Sequence, residues 1–493
     1  MVSFTLSLLA LIVGYIIYGK FVERVFGPDD RVTPAVAQND GVDYIVLPNW
    51  KVFMIQFLNI AGTGPIFGAI MGAKFGPACY LWIVLGCIFA GATHDYLIGM
   101  LSVRNGGAGL PQLIGKYLGM TTKKLVLVFT VLLLIMVGAV FVYSPAEILH
   151  SIDGSATMWI LIIFCYYIIA TMLPIDKIIG KIYPLFAFSL LFMALALMVV
   201  LFIKMPSLPE VWDGLGNVNL LPAGESWTDQ IFPCLFITVA CGAISGFHAT
   251  QSPLMARCLK SERMGRPVFY GAMITEGVVA LIWATVSSYF FYGDPVPGYQ
   301  VIAAAHESGF HTSAPAVVNI ICNDWLGFAG GILALFGVVA APITSGDTAF
   351  RSARLIVAEA FGLDQRPIVK RLLISVPLFV VAIAMLLWQI ENPDGFNIIW
   401  QYFGWANQML AVFTLWTITV YLARERKPYI ITLIPALVMT TVCSTFLFIS
   451  KQAFHLDEAL AYTLGGIVLL VAIVCFAMWH RKWNKANSAS GEE

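Results

Sequence analysis

Long apolar runs separated by short polar segments follow one another along almost the entire chain. A helix that crosses the hydrocarbon core of a bilayer needs about 20 predominantly apolar residues. The pattern therefore predicts an all-α polytopic membrane protein with about 13 transmembrane helices. The predicted spans are residues 4–20, 53–74, 78–101, 124–143, 156–173, 183–204, 231–250, 267–292, 326–346, 371–389, 397–421, 430–450 and 460–480.

The composition excludes an ordinary soluble protein. Hydrophobic residues make up 59% of the chain, charged residues only 11%, and the mean hydropathy is +0.84, whereas soluble domains are about 25% charged. The 28 basic residues balance the 28 acidic ones, so the charge gives no reason to expect nucleic acid as a partner. We expect a single transmembrane domain, residues 1–485, embedded in the lipid bilayer, and a short polar tail, residues 486–493.

The motifs that would indicate an enzyme or a metalloprotein are missing from the sequence. The nine cysteines are scattered and show no Cys-x-x-Cys or Cys/His spacing, so we interpret them as small apolar packing residues. The sequence also contains neither a Walker A motif nor a His-Glu-x-x-His motif. We therefore expect no enzymatic activity, no metal site and no cofactor other than a coupling ion.

The distribution of Lys and Arg predicts the orientation of the chain. If the predicted spans are correct, 25 of the 28 basic residues lie on one side of the membrane, and only Lys74, Lys204 and Lys451 lie on the other. Cytoplasmic loops carry an excess of Lys and Arg. The sequence therefore predicts an N-out/C-in topology, and one missed helix would destroy the asymmetry.

Two spans are interrupted by Gly and Pro near polar residues. These interruptions lie near residues 62–65 in the span 53–74 and near residues 245–248 in the span 231–250. Backbone groups that leave the helical ladder inside a bilayer need protein, water or a ligand as partners. One interpretation is a pair of kinked helices that pack on small residues. The other is a pair of discontinuous helices that form a transport site near the bilayer midplane.

The positions of the two interruptions favour a transport site. They lie five spans apart, and the two interrupted helices begin on opposite sides of the membrane. This arrangement predicts an inverted repeat with halves of about residues 51–206 and 229–421, and accessory helices at 4–20, 430–450 and 460–480. The residues that we predict to bind substrate are Gly62, Thr63, Gly64, Ser245, Gly246, Phe247, His248 and Gln251.

Ionisable residues inside predicted spans are candidates for proton transfer. His94 and Asp95 lie in the span 78–101, and Glu276 lies in the span 267–292. Such residues are rare in membranes and mark functional sites by default. His248 adds a group that exchanges protons near neutral pH. The alternative is that each of these side chains only pairs with a buried partner and holds the bundle together.

A third candidate site lies at the end of the span 326–346. Ala341, Thr344 and Ser345 are spaced i, i+3 and i+4 and therefore share one helix face. Their hydroxyl and carbonyl oxygens suit a small cation, although ordinary packing between helices is the alternative. Asp347 and Arg351, again spaced i and i+4, are predicted to form a gate or a local ion pair. A polar stretch with Asn407 and Gln408 either lines a vestibule or marks a kink.

Four segments resemble the carbon starvation protein A (CstA) family of bacterial inner-membrane transporters. They are residues 40–68, 91–107, 241–253 and 341–354, and the resemblance extends from about residue 5 to about residue 450. It implies uptake of peptides or pyruvate, small substrates that carry a carboxylate, during carbon starvation. It also implies the LeuT-type 5+5 inverted repeat of the amino acid–polyamine–organocation superfamily.

The resemblance assigns roles to some of these residues. In sodium-coupled relatives, the face that corresponds to Ala341, Thr344 and Ser345 binds sodium together with carbonyls near Asn59–Gly62. A proton-coupled member could instead use a charged group such as Lys181. We predict a secondary active importer of the prokaryotic plasma membrane, coupled to protons. The alternatives are sodium coupling, a membrane nutrient sensor without transport, and a membrane-embedded enzyme.

Overall fold

The computed structural model of the protein describes residues 1–150, 153–173, 179–215, 230–291, 314–365, 367–392 and 395–489. Within these ranges the regular structure is helical. The longer helices are Val2–Ile16, Tyr18–Phe26, Asn49–Ile60, Ala78–Leu85, Ala92–Arg104, Leu110–Leu118, Met120–His150, Ala156–Met172, Ile179–Lys204, His248–Ala256, Gly271–Phe291, Ala314–Phe361, Ile368–Glu391, Gly395–Arg424, Ile430–Ile449 and Glu458–Ala489.

The helices confirm that the chain is a multi-pass membrane protein. In the described part of the chain, 9 helices are long and apolar enough to cross a membrane, and a bent pair raises the number to 10. Ala156–Met172 is a shorter apolar helix at the position of a further predicted span. The last helix exposes most of its apolar surface, as expected of a helix that faces lipid. The total of 13 spans stays a prediction.

The predicted span 53–74 is a broken helix, as its Gly and Pro residues indicated. Its first half is Asn49–Ile60 and its second half is Gly64–Phe75, and the two are bent by 52°. Residues 61–63 between them are not helical. Pro65 lies in the first turn of the second half, where a missing backbone N–H costs nothing.

The predicted span 231–250 is also broken, but the break is longer and begins earlier than expected. Helical turns cover residues 231–238, residues 239–247 are irregular, and a second half follows at His248–Ala256. His248 was expected inside the unwound segment. It is instead the first residue of the second half, so its backbone is fixed and its side chain is held in place by neighbouring helices.

The two broken helices run in opposite directions and meet at their breaks. Leu47 N–H donates to Cys258 O (3.3 Å), so the start of the first broken helix lies beside the end of the second. A Cβ added at Gly64 would lie only 2.3 Å from Cys241 Sγ. This close approach requires glycine at position 64 and brings the two irregular segments into contact.

The long helix Ala314–Phe361 combines two predicted elements. Residues 314–322 lie in the predicted connection between the spans 267–292 and 326–346, and residues 326–346 were expected to be a span. The structure joins them with a kink at Gly327, whose φ of 64° is left-handed. The part after the kink packs along Met120–His150 and continues about four turns beyond residue 346.

Candidate functional site

Polar side chains from neighbouring helices donate hydrogen bonds to main-chain carbonyl oxygens at the two breaks. Trp82 Nε1–H donates to Val239 O (2.8 Å), and Gln408 Nε2–H donates to Phe236 O (2.7 Å). At the first broken helix, Ser345 Oγ–H donates to Leu58 O (2.8 Å). Because these carbonyls have protein partners, the irregular backbone is compatible with a position inside a bilayer.

Asn407 holds the second break in place. Its side-chain Oδ1 accepts hydrogen bonds from Ser245 Oγ (3.1 Å) and from Phe247 N–H (2.7 Å), and its main-chain oxygen accepts one from Gly246 N–H (3.2 Å). The sequence had assigned Asn407 to a vestibule or a kink. The structure instead shows that it positions three of the residues predicted to bind substrate, Ser245, Gly246 and Phe247.

A cluster of four fully buried ionisable side chains lies at the start of the second half, and we call it the His/acid cluster. Asp95 accepts from two imidazoles: its Oδ1 lies 2.8 Å from His94 Nδ1, and its Oδ2 lies 2.8 Å from His248 Nδ1. The other ring nitrogen of His248, Nε2, lies 3.4 Å from Glu276 Oε2. The relative exposure of all four residues is 0%.

Three helices build the His/acid cluster. His94 and Asp95 lie in the first turn of Ala92–Arg104, His248 begins His248–Ala256, and Glu276 lies in Gly271–Phe291. The sequence predicted Asp95, His248 and Glu276 as separate proton candidates, and the structure brings all three together. His94 had been identified with Asp95 as an ionisable residue inside a span, but its direct bond to the Asp95 carboxylate could not be predicted from the sequence.

Several polar atoms at the breaks have no hydrogen-bond partner among the described residues. Leaving a buried donor or acceptor unpaired costs about 1–3 kcal/mol, so such a concentration indicates a site that interacts with water, an ion or substrate. The atoms are Gln56 Oε1 and Nε2, Asn59 Oδ1 and Nδ2, Thr63 Oγ1, Gln251 Oε1, His248 Nε2 and both carboxylate oxygens of Glu276.

The predicted cation-binding face lies next to the first break. A Cβ added at Gly62 would lie 3.3 Å from Ser345 Oγ, so the face is opposite the carbonyls where the resemblance placed it. The Thr344 hydroxyl donates to Ala341 O (2.7 Å). Both hydroxyls of this face therefore act as donors within the protein, which leaves their oxygen lone pairs as acceptors for a cation.

Asp347 and Arg351 do not pair with each other in the way that their spacing suggested. Asp347 Oδ2 accepts a hydrogen bond from Tyr183 O–H (2.8 Å). Arg351 Nη2 donates to Ala170 O (2.7 Å) and Leu173 O (2.8 Å). The hydrogen-bond partners of both side chains therefore lie on other segments of the chain. The side chain of Lys181 lies outside the described residues.

A group of buried arginines lies at one end of the bundle, and of this group only Arg351 had been singled out from the sequence. We call this end the basic end. Its acidic partners are Asp43, which lies 3.5 Å from both Arg351 and Arg354, and Glu359, which bonds Arg257. Each of these arginines is at most 6% exposed. The arginines of the basic end are Arg257, Arg351, Arg354 and Arg371.

One group of side chains in the described residues could hold a metal ion. The Cys241, His248 and Glu276 donor atoms all lie within 4.8 Å of one another. The Cys241 sulfur already contacts Ser245 Oγ at 3.7 Å and Asn407 Nδ2 at 3.9 Å. His248 and Glu276 lie on two different helices, and Cys241 lies in the second break. No spacing rule could therefore have detected the group. The expectation of no metal cofactor stays a prediction.

Curated relatives include membrane proteins from several bacteria. An uncharacterized membrane protein of Haemophilus influenzae is 44% identical over 352 residues, which cover 62% of this chain and 95% of the relative. The peptide transporter CstA of Bacillus subtilis is 26% identical over 575 residues, which cover 95% of this chain and 94% of the relative. The similarity to the latter includes both broken helices.

The fold is that of LeuT-type transporters. The solved structure of Mhp1, a nucleobase-cation-symport-1 family transporter in a closed conformation with bromovinylhydantoin bound, superposes with a TM-score of 0.54 at 15% identity. The superposition covers 88% of this chain and 92% of Mhp1. The family model described as carbon starvation protein CstA matches residues 1–151, 142–317 and 301–446. Together with the paired broken helices, this match shows that the chain belongs to the CstA family of multi-pass membrane transporters.

Proposed function

We propose that the protein is a secondary active importer of small nutrients that carry a carboxylate, and that it couples their uptake to protons. Peptides are favoured as substrates because the Bacillus relative is named a peptide transporter. Pyruvate is the second candidate, from the family resemblance. The membrane is the plasma membrane of a prokaryote, and the basic end faces the cytoplasm because Lys and Arg concentrate there.

The His/acid cluster is the observation that carries the proposal. With both carboxylates ionised and both imidazoles neutral, the cluster would hold two negative charges in a fully buried place. Uncompensated charges in such surroundings are very costly. Bound protons remove that charge, and the Glu276 carboxylate oxygens and His248 Nε2 have no hydrogen-bond partner among the described residues. The cluster is therefore suited to take up and release protons.

The two breaks offer a place for the carboxylate of the substrate. A helix N-terminus carries partial positive charge and free backbone N–H groups. The second halves of both broken helices begin at the breaks, at Gly64 and His248. A carboxylate between them would interact with two such N-termini. The Thr63 hydroxyl and the Gln251 side-chain oxygen, which have no hydrogen-bond partner among the described residues, are available to the rest of the substrate molecule.

Coupling follows from the position of His248. It belongs both to the second half of the broken helix and to the His/acid cluster. Loss of a proton changes its attraction to Asp95 and Glu276 and therefore the way that the second half packs on Ala92–Arg104. We propose that this movement alternates access to the breaks between the two sides of the membrane.

Proteoliposome uptake tests the proposal. Labelled alanylalanine and labelled pyruvate are offered separately under an inward proton gradient, an inward sodium gradient or no gradient. We expect one of them to accumulate under the proton gradient alone and only to equilibrate without a gradient. No uptake of either substrate under any gradient refutes the importer proposal and favours a sensor.

Sodium coupling is the second candidate, because Ala341, Thr344 and Ser345 lie opposite the first break. Accumulation under the sodium gradient, with none under the proton gradient, would favour it and reject the proton role. Measuring uptake after treatment with a chelator tests the expectation that no metal cofactor is required. Uptake should stay unchanged after treatment with EDTA, and a loss that zinc or manganese restores would instead favour a metal ion at Cys241, His248 and Glu276.

A further inference from the structure

Arg351 and Arg354 share one acidic partner at the basic end. Both lie 3.5 Å from Asp43 Oδ1, whereas Arg257 bonds Glu359. The buried carboxylate of Asp347 lies one turn before Arg351 on the same helix and bonds Tyr183. Arg371 donates to Gln365 O (2.6 Å) and Met172 O (2.7 Å).

Arg351 and Arg354 have unused capacity for an anion. They share the single oxygen Asp43 Oδ1, each at 3.5 Å, which is longer than the 2.7–2.9 Å that is usual for charge-assisted hydrogen bonds. Arg351 Nε and Nη1 and Arg354 Nε have no hydrogen-bond partner among the described residues. Because both side chains are at most 1% exposed, these unpaired donors are costly and favour a second acceptor.

Asp43 belongs to a strap, residues 40–47, that lies across the basic end. The strap is shaped by Asp40, whose Oδ1 accepts from the N–H groups of Val42, Asp43 and Tyr44. It is attached through Ile45 N–H to Arg257 O (3.2 Å) and through Leu47 N–H to Cys258 O (3.3 Å).

Tyr44 completes the attachment of the strap. Burial raises the pKa of the Tyr44 phenol, so the side chain stays neutral, and it donates to Gly106 O (3.0 Å). A cavity of ≈ 630 Å³ lies beside the strap, with Asp43, Tyr44, Arg257 and Glu359 in its wall. Space for a small solute therefore exists beside the strap and Arg257.

The arginine pair lies on the route from the breaks to the basic end. Arg351 follows Ser345 by six residues on one helix, about 9 Å at 1.5 Å per residue. Ser352 Oγ donates to Thr250 O (3.1 Å), which ties this part of the helix to the turn that begins at His248. A carboxylate that leaves the breaks towards the basic end therefore reaches Arg351 within two helical turns and Arg354 within three.

We propose that Arg351 and Arg354 form a carboxylate-binding station at the basic end. Asp43 of the strap occupies the station in the closed arrangement, and the carboxylate of the departing substrate replaces Asp43 when the strap opens. The role of substrate in this proposal rests on the proposed function, but the binding of a carboxylate does not. Exchange of one carboxylate for another leaves the buried arginines compensated at each stage, which avoids the cost of an unpaired buried charge.

Cys258 reports whether the strap is open. Its side chain is fully buried, and its carbonyl oxygen bonds the strap at Leu47. The rate at which N-ethylmaleimide alkylates Cys258 in the purified protein is measured by mass spectrometry of the peptide that contains it, in a background in which the exposed Cys165 and Cys475 are replaced by Ser. No gradient or transport is involved.

In Asp43→Ala, alkylation of Cys258 should be about tenfold faster, because removing one member of a buried ion pair is strongly destabilising. Sodium acetate at about 20 mM, well above a millimolar dissociation constant, should restore the slow rate by occupying the station, whereas sodium chloride at equal ionic strength should not. The matched control is Asp30→Ala, which removes an exposed partner of Arg263 and should leave the rate unchanged.

The arginines and the substrate are tested in the same assay. In the double variant Asp43→Ala with Arg354→Gln, acetate should no longer slow the alkylation. In Asp43→Ala alone, alanylalanine should act like acetate, whereas alanylalanine amide, which lacks the carboxylate, should have no effect. If Asp43→Ala does not elute as a monodisperse protein, Asp43→Asn replaces it, since it keeps the side-chain volume.

The outcomes separate this proposal from the proposed function. A wild-type alkylation rate in a folded Asp43 variant overturns the role of the strap. An acetate effect that is absent, or that persists with Arg354→Gln, overturns the station. Protection by acetate without protection by alanylalanine overturns the exit role for peptides. Each of these results can be obtained whether or not proton-driven uptake is observed.

Discussion

Replacing Glu276 by Gln is the most direct perturbation of the His/acid cluster. Gln has nearly the same shape as Glu, and neither carboxylate oxygen of Glu276 has a hydrogen-bond partner among the described residues. The substitution therefore changes the charge with little effect on packing. Because Asp95 keeps both of its imidazole contacts, the site around His248 should remain assembled.

The electrostatic attraction that Glu276→Gln removes can be estimated from the distance between Glu276 and His248. Glu276 Oε2 lies 3.4 Å from His248 Nε2. Two opposite unit charges at that separation attract each other by about 5 kcal/mol at an effective dielectric constant of 20. One unit of pH gradient supplies only about 1.4 kcal/mol per proton, which corresponds to about tenfold accumulation. The lost attraction is therefore several times larger than the driving force available from the gradient.

The assay compares accumulation and exchange in the same proteoliposomes. With an inward gradient of one pH unit, the wild-type protein should concentrate its substrate up to about tenfold for each coupled proton. Glu276→Gln should only equilibrate it. Exchange of labelled for unlabelled substrate at equal pH should continue in the variant, because binding and alternating access need no net proton transfer.

A matched substitution shows whether the loss is specific. Glu425→Gln changes the same residue type at an exposed position between two helices and should accumulate substrate like the wild type. If Glu276→Gln still concentrates substrate about tenfold, Glu276 does not take part in proton coupling and the reasoning is refuted. If exchange is lost as well, the variant is defective in binding or folding, and the role of Glu276 is structural.

Substitutions at three other places test separate parts of the site. Both His248→Gln and His248→Ala should abolish gradient-driven accumulation while Gln retains part of the exchange, because it remains a neutral donor; wild-type accumulation in His248→Gln would remove the proton role from this residue. Replacing Thr344 and Ser345 together by Ala should leave proton-driven uptake within about twofold of wild type, because both hydroxyls bond carbonyls within the protein. If uptake by this double variant instead loses its dependence on an ion gradient, this face binds the coupling ion. Asn407→Ala should lower apparent substrate affinity by about tenfold or more, because Ser245 and Phe247 lose their shared acceptor; unchanged affinity measured by uptake at varied substrate concentration would contradict that positioning role.

The distribution of apolar residues was sufficient to predict a multi-pass membrane protein. Apolar runs of about 20 residues have few alternatives to a membrane helix, because every backbone polar group in a bilayer must be satisfied within the helix. The same constraint made both breaks visible, since Gly, Pro and polar residues are unusual in the middle of such a run. The bend of the first broken helix at residues 61–63 follows from this local chemistry.

The extent of the second break was less predictable. Its Gly and polar residues indicated residues 245–248, but the irregular segment is 239–247. The difference depends on partners that lie far away in the sequence: Trp82 bonds Val239 O, and Asn407 bonds the segment that ends at Phe247. A backbone segment can stay unwound only where such partners exist, and their positions are fixed by the packing of other helices.

The grouping of the site residues was decided by the tertiary structure alone. Asp95, His248 and Glu276 each stood out as polar residues in apolar spans, but their contacts join positions up to 153 residues apart. Arg351 shows the limit of local spacing most clearly, because its neighbour Asp347 binds Tyr183 while Arg351 itself lies beside Asp43. Burial strengthens the interactions between charges and between hydrogen-bonding groups. Only the folded chain determines which of these groups are within reach of one another.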